Sequence, residues 1–384
     1  MHTKTKTIFM MSGETRLPAE LVISTTLALI EQFEANLGLT AQEDVPPTRA
    51  DAPSPLLLLS ASAKTLKAQV TKLSLLTVIA PFTPSAIATS LQSVNDSVLP
   101  SLVTATLLAT SAIYTSTFVH ECKLLTRGTL RDLQVLIKLV EARSRDGKPK
   151  EDMSSLKKKD ITEATGKIWE DCDDLVKFAE EGVPGFTVRK AKQWLELMKD
   201  AVKELQEWDP EDELDENDPF GQASSDEEQF VAAQHTVTES DKADDRATIS
   251  AGVKDQALKV LSRIPQSIHV VLKQRLEKTK FTPGVTLSRQ TRSQLDRILI
   301  KTRTVSELID ESAEGMYLGD LELCLKKAGE ARAVTIEIVE SVLEPFEFIP
   351  GNMSQTEESK EDKYIKRALE WVRQVDEAKD LPRR

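Results

Sequence analysis

VRKAKQWLELMKDAVKELQEW (188–208) decides the fold class. Ala191, Leu195, Met198, Val202 and Leu205 recur four, three, four and three residues apart, which lays one apolar stripe along a helix whose other positions are mostly Lys, Glu, Asp and Gln. A half-buried strand would instead alternate apolar and polar residues, and this stretch does not. Asp209-Pro210 ends the pattern, because proline removes an amide donor and clashes with the preceding turn.

The same period runs outward in both directions. Ile161, Ile168, Cys172, Leu175, Val176 and Ala179 form one apolar face from Asp160, ended by Gly182-Val183-Pro184-Gly185. After Gly128 come Leu130, Leu133, Ile137 and Val140, a bundle helix too short in heptads for a coiled coil. Leu56 to Ile79 carries Leu66, Val70, Leu73 and Leu76 on one face, and Pro81 and Pro84 punctuate its end. Ser85 to Val98 reads as a short helix capped by Thr83 or Ser85, and Leu17, Leu21, Leu27, Ile30 and Leu37 start the chain's first one. Pro46, Pro47, Pro53 and Pro55 mark a loop between them. Downstream, helical patterns cover Val253 to Ile264, Ile268 to Leu276, Leu287 to Ile309, Leu318 to Leu343, and Tyr364 to Val375. No repeat of fixed period is visible, which argues against a solenoid.

Ser97 to Val119 carries no charge and is long enough to cross a bilayer. Nine of its 23 residues are Ser or Thr, however, and Pro100 lies near its start, so it reads as a buried central bundle helix. Its hydroxyls can bond back to carbonyls of the preceding turn.

Composition agrees with helices. Aromatics are 5% of 384 residues and glycines number 14, which disfavours β-sandwiches and Gly-rich nucleotide folds. The expected class is all-α, with two cores at this length. The expected organisation is a first helix and Pro-rich loop over 1–55, an antiparallel bundle of five or six helices closing at 208, a flexible acidic linker over 209–247, and a helical part over 248–384.

That linker holds 14 Asp and Glu against two basic residues, a balance of −12, which equals the net charge of the whole chain. A near-neutral helical body interrupted by one acidic tether suits binding of other proteins. Asp209, Glu211, Asp212, Glu213, Asp215, Glu216 and Asp218 are therefore candidate partner contacts. Asp212, Asp215 and Asn217 alternate like calcium ligands, but no glycine takes the sixth place of a calcium loop. Ser224 and Ser225 precede Asp226-Glu227-Glu228, a context that acidophilic kinases favour, and are candidate phosphorylation sites.

Catalytic signatures are missing. The four histidines lie apart, His120-Glu121-Cys122 is too compact for zinc, and no G-x-S-x-G, Walker loop or dinucleotide fingerprint occurs. No catalytic, cofactor-binding or metal residue is assigned, and the expectation is a protein that is not an enzyme. Cys122, Cys172 and Cys324 have no paired spacing, and the basic N-terminus has an apolar run of only four residues. Both point to the reducing interior of a cell; the expected location is cytoplasm and nucleus. Lys148, Lys150, Lys157, Lys158 and Lys159 read as solvated surface. Trp194 and Trp208 lie fourteen apart on one face beside the core stripe, as core margin or as partner anchors. Trp169 and Cys172, three apart, read as core packing, whereas Asp171, Asp173 and Asp174 spread around the helix as a solvated face.

Thr165-Gly166-Lys167-Ile168-Trp169-Glu170-Asp171-Cys172-Asp173-Asp174-Leu175, then Met198-Lys199-Asp200-Ala201-Val202-Lys203-Glu204-Leu205 and the acidic run, resemble the cyclin-D-interacting protein (GCIP) family. Lys72-Leu73-Ser74-Leu75-Leu76 with Pro81-Phe82-Thr83-Pro84-Ser85 fits the same pattern, so the likeness spans roughly 60 to 218. It implies an all-helical, non-enzymatic regulator that sequesters D-type cyclins or helix-loop-helix factors and restrains proliferation or differentiation. Gly166, Trp169, Cys172, Asp173 and Asp200 are the motif residues it brings, read as structural. Like such proteins, this chain has no basic helix able to track DNA phosphates, so direct DNA binding is not expected. From a different class, a cytoskeletal or membrane-adaptor bundle of the vinculin or talin type is the alternative.

Overall fold

The computed structural model describes residues 18–38, 54–146, 152–208, 239–278, 287–346 and 359–374, with 239–247 described by backbone alone. Among these residues the secondary structure is helical throughout, without a strand. The acidic candidates from Asp209 to Asp218, together with Ser224 and Ser225, lie outside the described residues.

The chain divides into two compact units, Met1–Gly182 and Val183–Arg384. The first holds α1 (Ala19–Gly38), α2 (Pro55–Val78), α3 (Pro84–Ser93), α4 (Leu99–Leu108), α5 (Ser116–Arg145) and the first arm of α6 (Ser155–Glu207). Its core is aliphatic, with Ile30, Leu66, Leu73, Leu102, Leu130, Leu133, Ile137 and Ile168 essentially closed to water. Phe118 of α5 stacks on Phe178 of α6, ring centroids 4.2 Å apart. Glu34 of α1 accepts from Arg131 of α5, and Glu31 accepts from Gln134 at 3.1 Å.

The uncharged stretch 97–119 is not one helix. The helical backbone passes from α3 through a π turn, Val94–Val98, into α4, leaves helix after Leu108, and starts again at Ser116. Thr115 accepts a hydrogen bond from the Phe118 amide at 3.2 Å and so caps the restarted helix, α5. Within the helices the hydroxyls do bond back as expected, Thr106 to Leu102 at 3.0 Å and Thr126 to Cys122 at 2.9 Å. Among the described residues no helix is long and apolar enough to cross a membrane. α5 also runs straight through Gly128, twelve residues past its start.

The expected boundary at 208 falls instead at Gly182. This residue has φ 59 and ψ −168, backbone open to glycine almost alone, and it breaks α6 between 181 and 183. Pro184 then sits in the first turn of the second arm, where its missing amide costs nothing. The stripe that decided the fold class is buried as read, Ala191, Leu195, Met198, Val202 and Leu205 alike, but within the second unit.

That unit adds α7 (Glu239–Leu261), α8 (Arg263–Val271), a π turn at Leu272–Leu276, α9 (Arg289–Tyr317), α10 (Leu321–Ser341) and α11 (Lys360–Arg373). α7 begins at Glu239, so the last nine positions assigned to the linker are helix. α9 and α10 form a hairpin in which Ser312 donates to the Cys324 carbonyl at 2.8 Å. Its turn ends on Asp320, whose carboxylate caps α10 through the Leu323 amide at 3.0 Å.

Candidate functional site

The motif helix, the first arm of α6, lies antiparallel to α2. Lys64 pairs with Glu180 at 3.1 Å and Lys67 with Asp173 at 2.6 and 2.7 Å. One turn further, the Trp169 indole N–H donates to Thr71 Oγ1 at 3.0 Å, and the Thr71 hydroxyl donates to the Lys67 carbonyl at 2.7 Å. As α2 ascends from Lys64 to Thr71, α6 descends from Glu180 to Trp169.

Trp169 was read as core, and the structure corrects this: the side chain is 39% exposed. Residues three apart on a helix point about 60° apart, enough for Cys172 to enter the core while the indole lies at the helix margin. Its only polar atom is satisfied by Thr71, so the ring is held in place with its apolar faces available. On the Thr71 stripe of α2, Leu75 is 54% exposed, and Ile79, the extended residue that ends the helix, is 59% exposed. Gly166, one turn before Trp169, has no atom within 4 Å of where a Cβ would stand. The seam therefore continues as an apolar surface made by Trp169, Leu75 and Ile79 beside an open glycine.

The three aspartates do not share one solvated face. Asp173 is tied to Lys67, whereas Asp171, two residues back, turns to α5 and meets Asp132. Burial first, then the charge of Asp132 and a hydrogen bond with it, then Asp174 and Glu170, push the Asp171 carboxyl up to about 7. Its buried Oδ2 has no donor unless one of the facing carboxyls keeps a proton. Cys172, wholly buried, has its thiol pushed up to about 12, chiefly by burial. Among the described residues no group of three or more His, Cys, Asp or Glu is arranged to hold a metal ion.

The other candidates lie in the second unit. Asp200 is exposed. Trp208 is engaged by its own unit: its ring packs on Tyr317 at 5.5 Å, and Lys254 Nζ lies 6.0 Å from the ring and donates to the Trp208 and Gln206 carbonyls. It closes the end of α6 and so belongs to the core margin. Trp194 is half-buried, and Leu197, missed in the sequence, is 55% exposed beside it. A legible signal existed, since Trp194, Leu197 and Ala201 stand three and four apart on a second stripe. Leu75 and Ile79 left none, because α2 carries leucines on every side.

Residues 58–211 match the family described as Grap2 and cyclin-D-interacting, N-terminal. The matched span starts in α2, contains the whole α2–α6 seam and the second arm of α6, and ends just past Trp208. No curated protein matches the chain.

Proposed function

We propose, from the match of residues 58–211 to the Grap2 and cyclin-D-interacting family, that the chain is a non-enzymatic regulator that binds a cyclin-like or helix-loop-helix partner. It acts in cell-cycle or transcriptional control, in cytoplasm and nucleus, without itself contacting DNA. The observation that carries this reading is the Trp169–Leu75–Ile79 surface inside the family-matched span. An indole pinned through its N–H and flanked by exposed aliphatics loses little freedom on docking, and its faces gain by leaving water. The acidic residues from Asp209 to Asp218 would add long-range attraction for a basic partner surface and raise the rate of encounter.

Calorimetric titration of the full chain with a purified D-type cyclin, and separately with a helix-loop-helix protein, tests the reading. Saturable binding to one of them, at least tenfold weaker for Trp169→Ala, supports it. Equal affinity for Trp169→Ala, or no binding to either class, removes it. A variant lacking 209–238, which spares α7, separates the contributions: retained binding with slower association assigns recognition to the helices. Loss of nuclear signal in fractionated cells would remove the assignment to the nucleus.

A further inference from the structure

α11 is built like a bound ligand. It has its own start and stop signals: Ser359 and Asp362 form a reciprocal capping box, Glu361 and Asp362 fill the first turn, and Arg373 ends it. Ile365, Ala368, Leu369 and Val372 make one buried stripe, and the rest of the helix, Tyr364 and Trp371 apart, is polar. It runs antiparallel to α8 and its π turn, and other helices hold both of its ends. Arg275, itself buried, donates to Asp362 and to the Val342 and Leu343 carbonyls at 2.8 and 2.9 Å, while Lys278 pairs with Glu361 at 2.7 Å. At the far end Arg263 donates to the Trp371 carbonyl at 2.8 Å and Arg332 to those of Val372 and Arg373. Twelve residues, 347–358, separate α11 from Phe346, a length that extended reaches about 40 Å and lets the helix leave its seat without breaking the chain.

We propose that the groove lined by α8, its π turn and α10 is a helix-binding site, filled in cis by α11 and open to a partner helix with the same code. That code is a capped, acidic first turn for Arg275 and Lys278, then apolar residues at the spacing of Ile365, Ala368, Leu369 and Val372. Charge complementarity fixes the direction, because the reversed helix would bring its C-terminal carbonyls, not its acids, to Arg275. The groove lies outside 58–211, so the inference stands or falls separately from the function proposed above.

The test uses the full chain carrying a specific protease site within 347–358, cut after folding, with a labelled synthetic peptide of residues 359–374 as probe. The expected result is exchange: the peptide enters the cut chain one to one and displaces its α11, while the uncut chain, whose own helix is held at high effective concentration, binds it at least tenfold more weakly. A peptide with Leu369→Asp should not enter, and one with Asp362→Asn should enter at least tenfold more weakly. If the cut chain stays folded but excludes the peptide, or if losing α11 melts the second unit, the helix is permanent core and the proposal fails. A dimer formed by trading α11 between two copies would also overturn it, by making the second copy the occupant.

Discussion

Replacing Asp171 with Asn should stabilise the first unit by an amount that grows as pH rises past 3.8 and levels off above about 7. Folded, Asp171 keeps its proton up to about 7, whereas an ordinary aspartate loses it at 3.8. Between those values the folded chain holds a proton that the unfolded chain has released, so stability falls as pH rises through this window and stays low above it. The gap between 3.8 and about 7 sets a ceiling of about 4 kcal/mol, at about 1.4 kcal/mol per factor of ten. The side chain is partly open to water, and screening reduces that ceiling to about 1–2 kcal/mol. An asparagine of the same shape carries no charge and can donate its amide N–H to the Asp132 carboxylate, so it removes the repulsion outright. Urea unfolding of both proteins, followed by circular dichroism at about pH 8 and about pH 4, should give a gain of about 1–2 kcal/mol at the higher pH and little at the lower. A gain independent of pH, or a loss at the higher pH, would refute the reading of Asp171 as a carboxyl held protonated by burial and the facing Asp132.

Two glycines of the α9–α10 hairpin should respond to alanine with opposite signs. A Cβ at Gly315 would stand 2.9 Å from the Cys324 amide nitrogen and 3.2 Å from the Asp320 carbonyl oxygen, so Gly315→Ala must push the hairpin apart. The overpacking outweighs the helix-propensity gain and leaves a net loss of about 1–2 kcal/mol. Exposed Gly329 meets nothing within 4 Å, and Gly329→Ala should gain about 0.5–1 kcal/mol; thermal unfolding of the two variants checks the order. Cys122 and Cys172 are buried with thiols pushed up to about 12 and Cys324 is raised by burial, so a thiol reagent near pH 8 should label none of them until denaturant is added. Rapid labelling of the native protein would contradict that burial.

How far the residues foretold this molecule depends on what each pattern encodes. The 188–208 stripe encodes which face of a helix meets a core, and all five of its residues are buried. It does not encode which core, and so the second arm of α6 was assigned to the wrong unit. Gly182 was legible as a turn, but a left-handed glycine says only that the helix breaks there. In α1, Leu21 is half exposed while Val22, Ile23 and Thr26 are buried, because adjacent apolar residues allow two phases of one helix and a buried threonine hides among polar ones. Thr26 is paired with Asn95 at 3.0 Å, a partner 69 residues away that no local pattern announces.

The candidate surface was half legible. Trp169 and Gly166 stood out in the sequence, yet a helical spacing of three was taken to place the indole inside with Cys172. The deciding contact is Thr71, which lies on another helix and satisfies the indole N–H at the surface. Asp171 and Asp173 likewise received different neighbours, α5 and α2, and therefore different chemistry. Local sequence could show that the aspartates diverge around the helix. It could not show which would meet a lysine and which a second carboxylate.

Hydrogen exchange of the full chain with and without a saturating D-type cyclin reaches the central claim most directly. Protection should rise on the outer faces of 64–79 and 160–176, where Leu75, Ile79 and Trp169 lie, and Trp169→Ala should abolish that rise while leaving the free protein's exchange unchanged. A bound cyclin that leaves both segments unprotected and protects others instead would contradict the assignment of the α2–α6 seam as the docking surface.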